Sequence, residues 1–164
     1  MVDQNRFKRM VFLFVYGTLR KGAINFELME KTNFKFIGVG ETEEKFNLCI
    51  AHFFLNSPFL FKSSTEESSD HIKGDVYEID ESEFEWLDEF EKVPLLYKRI
   101  TIMVNINASQ LPCFVYILEN HHQDLEKCLM ISDYVEYCKS EKALLFYLPT
   151  DFKLEEEISA IKCK

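Results

Sequence analysis

The sequence predicts a single α+β domain: an antiparallel sheet or barrel with a few helices on one side. Three observations point there. Short strand-like runs recur along most of the chain and are separated by turn residues. In one of them, KRITIMVNI, Ile100, Ile102, Val104 and Ile106 alternate with Arg99, Thr101, Met103 and Asn105, a period of two over the whole run. Helical patterns are few, and they do not alternate regularly with strands as a doubly wound fold would require.

Taken in order, residues 10–16 are an apolar run that reads as a buried strand, and 24–32 as a short helix. Residues 34–41 and 46–53 are further strands, Asn56-Ser57-Pro58 a turn, and Phe59-Leu60-Phe61 a short strand. SSTEESSD, 63–70, is acidic, serine-rich and free of apolar residues, so it is expected to be a flexible surface loop, too short to divide domains. Residues 72–79 form the next strand. Residues 80–93 read as a helix, opened by the capping-box pair Asp80 and Glu83 and closed by Pro94, which disfavours helical geometry at Val93. The alternating run at 99–106, the turn Asn107-Ala108-Ser109-Gln110 and the strand-like 111–118 together predict a β-hairpin. Beyond 119 the signal weakens, with short helices expected near 132–139 and 153–161.

The chain has 164 residues, the size of one domain, and such a chain buries roughly 68–70% of its unfolded surface. One domain over 1–164 is therefore expected, with a core from about 11 to 150 and a C-terminal tail over 154–164. The formal net charge of −9 argues against nucleic acid or an anionic membrane as partner, because both need a basic footprint. The apolar run Val11–Tyr16 is too short for a signal sequence or a membrane span. Five cysteines without a C-x-x-C pair read as free thiols, so a cytoplasmic setting is expected. The sequon Asn107-Ala108-Ser109 is expected to serve as a turn.

Two stretches carry chemistry. In FLFVYGTLRKG the strand stops at Gly17 and two cations follow. Gly17 and Gly22 have P-loop spacing, but Ala23 and Ile24 stand where the lysine and hydroxyl must be, which excludes a nucleotide loop. The glycines leave open a close backbone approach to an anion or oxyanion, or simply a tight loop ending a strand. In the helix at 80–93, Phe84 and Leu87 define an apolar stripe, and Trp86 and Phe90 a second apolar patch. Glu91 is seven residues from Phe84, so it projects about 20° from the Phe84 direction. Asp88 lies at the edge of the same stripe. A carboxylate on an inward stripe is costly unless paired or neutral, and burial and the helix C-terminus both raise its pKa towards the range useful for proton transfer. The competing reading is a helix-end Glu that reaches water or pairs with Lys98 or Arg99, and helix spacing alone favours it. His121-His122 with Asp124 has no further ligand at metal spacing and reads as a polar loop. Cys113, within a strand, reads as a core residue.

Together the segments FVYGTLRKG, GDVYEIDESEFEWLDEFEKVPLLYKR and CFVY resemble the gamma-glutamyl cyclotransferase-like superfamily, and within it the gamma-glutamylamine cyclotransferases. The likeness runs from about residue 11 to 118. It implies a small mixed β-barrel flanked by a few helices. It implies substrate binding through the backbone of Tyr16, Gly17, Thr18 and Leu19, and Glu91 as the general acid/base. The implied reaction is attack of a substrate α-amine on its own γ-amide carbonyl, which releases 5-oxoproline and an amine such as lysine. No metal or cofactor is implied, and the partner is a small gamma-glutamyl amide bound by a monomer. Asp88, Tyr97 and Tyr116 are candidate pocket residues, with aromatic packing the competing role for the two tyrosines. The 63–70 loop, the loosely matching Phe146-Tyr147-Leu148-Pro149 and the tail beyond Lys153 depart from the family. Other gamma-glutamyl amides or dipeptides as substrate, and a non-catalytic binding module, remain as alternatives.

Overall fold

The computed structural model describes residues 8–54, 56–63 and 69–140. The expectations for the middle of the 63–70 loop, for residues 146–149, for a helix at 153–161 and for the C-terminal tail lie outside the described residues.

Five strands close a barrel in the order β1 (Met10–Val15), β5 (Lys73–Asp80), β2 (Lys35–Thr42), β6 (Lys98–Ile106) and β7 (Ser109–Ile117). All its pairings are antiparallel except β1 with β7, where Phe12 stands beside Cys113 in parallel register. The barrel is therefore mixed, which agrees with the α+β expectation. The predicted hairpin is β6–β7. Its turn is tighter than expected: Ile106 pairs with Ser109, leaving Asn107 and Ala108 in the left-handed region as a two-residue loop whose twist matches the strands.

The sequence does not predict the second sheet. β3 (Asn47–Ala51) lies between β4 (Ser57–Phe61) and β8 (Leu129–Ile131), apart from the barrel. β8 has three residues and no periodicity to betray it; it is a strand because Leu48, Cys49 and Ile50 offer it a ladder. The turn expected at residues 56–58 is displaced, since Ser57 and Pro58 already belong to β4.

The sheets enclose two apolar clusters. Phe14, Val76, Ile102, Val104, Ile106, Val115 and Ile117 fill the barrel, using the inward set of the alternating β6 run. Leu13, Val15, Phe59, Leu87 and Leu118 fill the space between the barrel, the second sheet and α2 (Phe84–Phe90). β1 supplies alternate residues to both clusters, which is why its sequence is an unbroken apolar run. Two further helices are short: α1 (Phe26–Glu30) follows the loop after β1, and α3 (Tyr134–Lys139) follows β8.

The helix expected over 80–93 is shorter than the capping signals imply. Asp80 does cap its start, accepting from the Ser82 amide at 3.0 Å, but residues 81–83 form a 3-10 turn before α2. Glu83 does not reach back to Asp80 as a capping box requires; it accepts from the Trp86 indole N–H at 2.7 Å.

Candidate active site

The chain leaves β1 at Val15 and turns at once. The Arg20 amide donates to the Gly17 carbonyl at 3.0 Å, and the Asn25 amide to the Thr18 carbonyl at 2.9 Å. The Asn25 side-chain amide also holds the Thr18 hydroxyl at 3.1 Å. The amides of Gly17, Thr18 and Leu19 themselves have no protein partner among the described residues. Three consecutive unpaired N–H groups in a mostly buried loop form a place for an anion or a carbonyl oxygen. Gly17 is required for space, not for torsion: a Cβ there would lie 2.8 Å from Pro58 Cγ. The left-handed torsion of this loop belongs to Gly22, at φ +91°.

Glu91 arrives from the other side. α2 ends at Phe90, and Glu91 is its C-cap, with its amide still bonded to the Leu87 carbonyl at 2.9 Å. Lys92 then takes φ +57°, its amide bonds the Glu89 carbonyl, and the Val93 amide bonds the Asp88 carbonyl. This is a Schellman motif with lysine in the position usually held by glycine. It stops the helix before Val93, where Pro94 alone would have placed the end, and fixes Glu91 at the last turn. Neither expected cation pairs with it. Lys98 bridges to Glu119 at 2.9 Å and Arg99 to Asp88 at 2.8 Å. Burial therefore acts unopposed and raises the Glu91 carboxyl from 4.5 to about 8.

One cavity of about 160 Å³ joins the two features. Tyr16, Gly17, Thr18 and Leu19 line it together with Glu91, Tyr97 and Tyr116, so all but one of the residues singled out in the sequence meet there. The Tyr16 hydroxyl donates to the Tyr116 carbonyl at 2.9 Å, and the Tyr97 hydroxyl to the Pro58 carbonyl at 3.2 Å. Burial, with Glu91 adding its charge to both, pushes the Tyr16 and Tyr97 phenols well above their ordinary range, so both remain neutral. Burial likewise raises the Tyr116 phenol.

The chain that builds this cavity from the 16–19 loop and Glu91 also matches a known family. The family model described as gamma-glutamyl cyclotransferase, AIG2-like, matches residues 13–136, which include the loop and Glu91. The chain belongs to this family. A Drosophila melanogaster protein with the provisional name gamma-glutamylcyclotransferase is 39% identical over 126 residues, 73% of this chain and 78% of its own. Gamma-glutamylaminecyclotransferase A of Danio rerio is 33% identical over 110 residues, 63% of this chain and 66% of its own. The crystal structure of an AIG2-like protein from Mus musculus superposes with a TM-score of 0.76 at 27% identity, covering 88% of this chain and 99% of that one.

Asp88 is the exception among the predicted site residues. It does not line the cavity. Its carboxylate accepts from Arg99 Nη1 at 2.8 and 2.9 Å and from the Tyr116 hydroxyl at 2.7 Å, while Arg99 lies 3.8 Å over the Phe84 ring. It braces a cavity wall from behind. The same cavity in this cyclotransferase-family chain is also lined by Phe14, Val15, Asn25, Ser57 and Pro58. None was legible as a site residue. Ser57 and Pro58 look like turn formers, and only the pairing of β4 with β3 brings them beside Gly17. Of the two loop cations, Arg20 is 4% exposed and does not line the cavity, and Lys21 does not line it either. Among the described residues no cluster of three His, Cys, Asp or Glu is arranged for a metal ion. His121 instead faces Glu126 at 3.0 Å, and His122 caps the 3-10 turn at 123–127. No helix among the described residues is long and apolar enough to cross a membrane.

Proposed function

We propose that the protein is a gamma-glutamylamine cyclotransferase, with Glu91 as general acid/base and the 17–19 amides as the site for the substrate's α-carboxylate or for the oxyanion. One observation carries this: a carboxyl raised by burial to about 8 shares a small cavity with three unpaired backbone amides. Near neutral pH such a group both accepts and donates protons readily.

The chemistry needs no protein nucleophile, because the substrate carries its own. Its α-ammonium group approaches Glu91, and that positive charge favours the ionised carboxylate. Glu91 takes one proton. The freed amine attacks the γ-carbonyl carbon, closing a five-membered ring, and the carbonyl oxygen becomes an oxyanion. Loop amides are suited either to that oxyanion or to the substrate α-carboxylate. The tetrahedral carbon then expels the amide nitrogen. Two protons pass in all from the attacking to the leaving nitrogen, each by way of Glu91, so the lactam keeps one N–H and the amine leaves as an ammonium ion. Holding the flexible glutamyl chain in its cyclising shape is the larger part of the task. Tyr16 and Tyr97 spend their protons on backbone carbonyls. Their oxygens keep lone pairs able to accept from the α-ammonium.

A second reading keeps the mechanism and changes the leaving group to an amino acid, making a gamma-glutamyl dipeptide the substrate; the name of the Drosophila relative, which specifies a gamma-glutamyl group and no amine, is compatible with it. The test is release of 5-oxoproline from gamma-glutamyl-ε-lysine and from gamma-glutamyl-alanine. Product from the first supports the proposal, product from the second alone supports the dipeptide reading, and product from neither overturns both.

A further inference from the structure

Residues 17–19 line the cavity and their amides are unpaired among the described residues, so their own hydrogen bonds cannot hold them in place. The anchor lies on the side of the loop away from the cavity. Arg20 Nε donates to Asp75 Oδ1 at 3.1 Å, and Arg20 Nη1 to the Lys73 carbonyl at 3.3 Å and to Asp133 Oδ1 at 2.7 Å. The second Asp75 oxygen accepts from the Lys21 amide at 2.8 Å. One carboxylate thus grips both a side chain and the backbone of the segment just after the amides. Asp75 stands opposite Val15, the residue that ends β1, so the loop is referenced to the strand pair that launches it. Asp133 carries the reference further. It caps α3 through the Val135 and Glu136 amides, and α3 meets the loop again where Val135 Cγ1 lies 3.6 Å from the space beside Gly22.

Arg20 and Asp75 are 4% and 2% exposed. Desolvating such charges is unfavourable beside apolar packing of the same volume, so a buried triad is a poor source of stability. What a guanidinium between two carboxylates does supply is direction, because its planar fork bonds along fixed lines. We infer that Arg20, Asp75 and Asp133 form a positioning clamp that sets the spacing of the Gly17, Thr18 and Leu19 amides, and so governs substrate binding rather than proton transfer. This rests on the reading that those amides bind the substrate through its α-carboxylate.

The test is steady-state kinetics on gamma-glutamyl-ε-lysine and gamma-glutamyl-alanine for wild type, Arg20→Lys, Asp75→Asn and Asp133→Asn, each checked by thermal melt. A lysine ammonium keeps the charge but cannot span both carboxylates and the Lys73 carbonyl. Asp75→Asn turns an amide N–H₂ towards one of two donors, whereas Asp133→Asn keeps an acceptor and a good helix cap. Small misplacements of binding groups are costly, so KM should rise roughly 10-fold or more for Arg20→Lys and Asp75→Asn, and less for Asp133→Asn. Because Glu91 is carried by another element and the α-carboxylate is held alike before and during ring closure, kcat should stay within about threefold. A purely structural triad would lower the melting temperature and leave KM of the folded variants unchanged, and that result overturns the clamp. So does a fall in kcat at constant KM, or the failure of every variant to fold. If wild type itself forms no 5-oxoproline, the proposed function fails first and the clamp falls with it.

Discussion

Replacing Glu91 with glutamine is expected to make the protein more stable and nearly inactive, a combination that a merely structural residue would not give. The folded-state pKa is about 8, against 4.5 ordinarily. Between these values the folded protein holds a proton that the unfolded chain releases. Stability from this group is therefore fully present below pH 4.5 and is lost as pH rises through 8. At pH 7 the accumulated loss is at most about 3 kcal/mol, at 1.36 kcal/mol for each pH unit above 4.5, because Glu91 is only partly buried where it lines the cavity. Glutamine is neutral in both states, keeps the size of the side chain and escapes that loss. For a chain of this length the gain corresponds to a rise in Tm of up to about 6–12 °C at pH 7, shrinking towards zero near pH 4.5. Turnover should fall about 10²–10⁴-fold, because the amide cannot take the α-ammonium proton. The assays are urea unfolding at several values from pH 5 to 8 and 5-oxoproline release at pH 7.5. A variant whose stability follows the same pH slope as wild type would refute the burial of Glu91. Near-normal turnover in the folded variant would remove its catalytic role.

The pH profile of kcat/KM should climb about tenfold per unit below pH 8 and fall again once the substrate's own α-ammonium titrates, since the free enzyme must present the ionised carboxylate to a protonated amine; a flat profile from pH 6 to 9 would contradict this. The profile of kcat should level off at lower pH, because the bound α-ammonium favours ionised Glu91. Gly17→Ala should raise KM with a cooperative melt retained, because the new methyl meets Pro58 at 2.8 Å and must displace the loop amides; unchanged Michaelis parameters would mean the loop does not bind substrate. Asp88→Asn loses its half-exposed pairing with Arg99 and weakens its hold on Tyr116, so the expected cost is about 1–2 kcal/mol in stability with less than about a tenfold fall in turnover. A greater loss of turnover there than at Glu91 would move the acid/base role to Asp88.

Local chemistry made much of this protein legible in its sequence. The alternation from Ile100 to Ile106 shows which face of β6 fills the barrel, because neighbouring side chains on a strand must point opposite ways. The unbroken run before Tyr16 marks a strand buried on both faces. Helical spacing alone puts Glu91 near the Phe84 stripe, and the order of the two motifs carries the family. The alternation, the apolar run and the helical spacing each rest on residues a few positions apart, where the backbone's own period sets which side chains share a face. What the fold alone decided depends on residues far apart in the chain. Asp80 and Pro94 mark a helix, but they do not reveal that Lys92 would end it early in a Schellman motif. Arg20 follows the glycine loop as a cation with no local partner, and only the fold shows Asp75 and Asp133, 55 and 113 residues beyond it, holding it. Asp88 and Glu91 are three residues apart on one helix, and nothing local separates them. Arg99 and Tyr116 occupy the first and leave the second to be raised by burial. Whether a carboxylate is paired or desolvated is a property of what packs around it, and strands paired across the barrel, not neighbours in sequence, supply those surroundings.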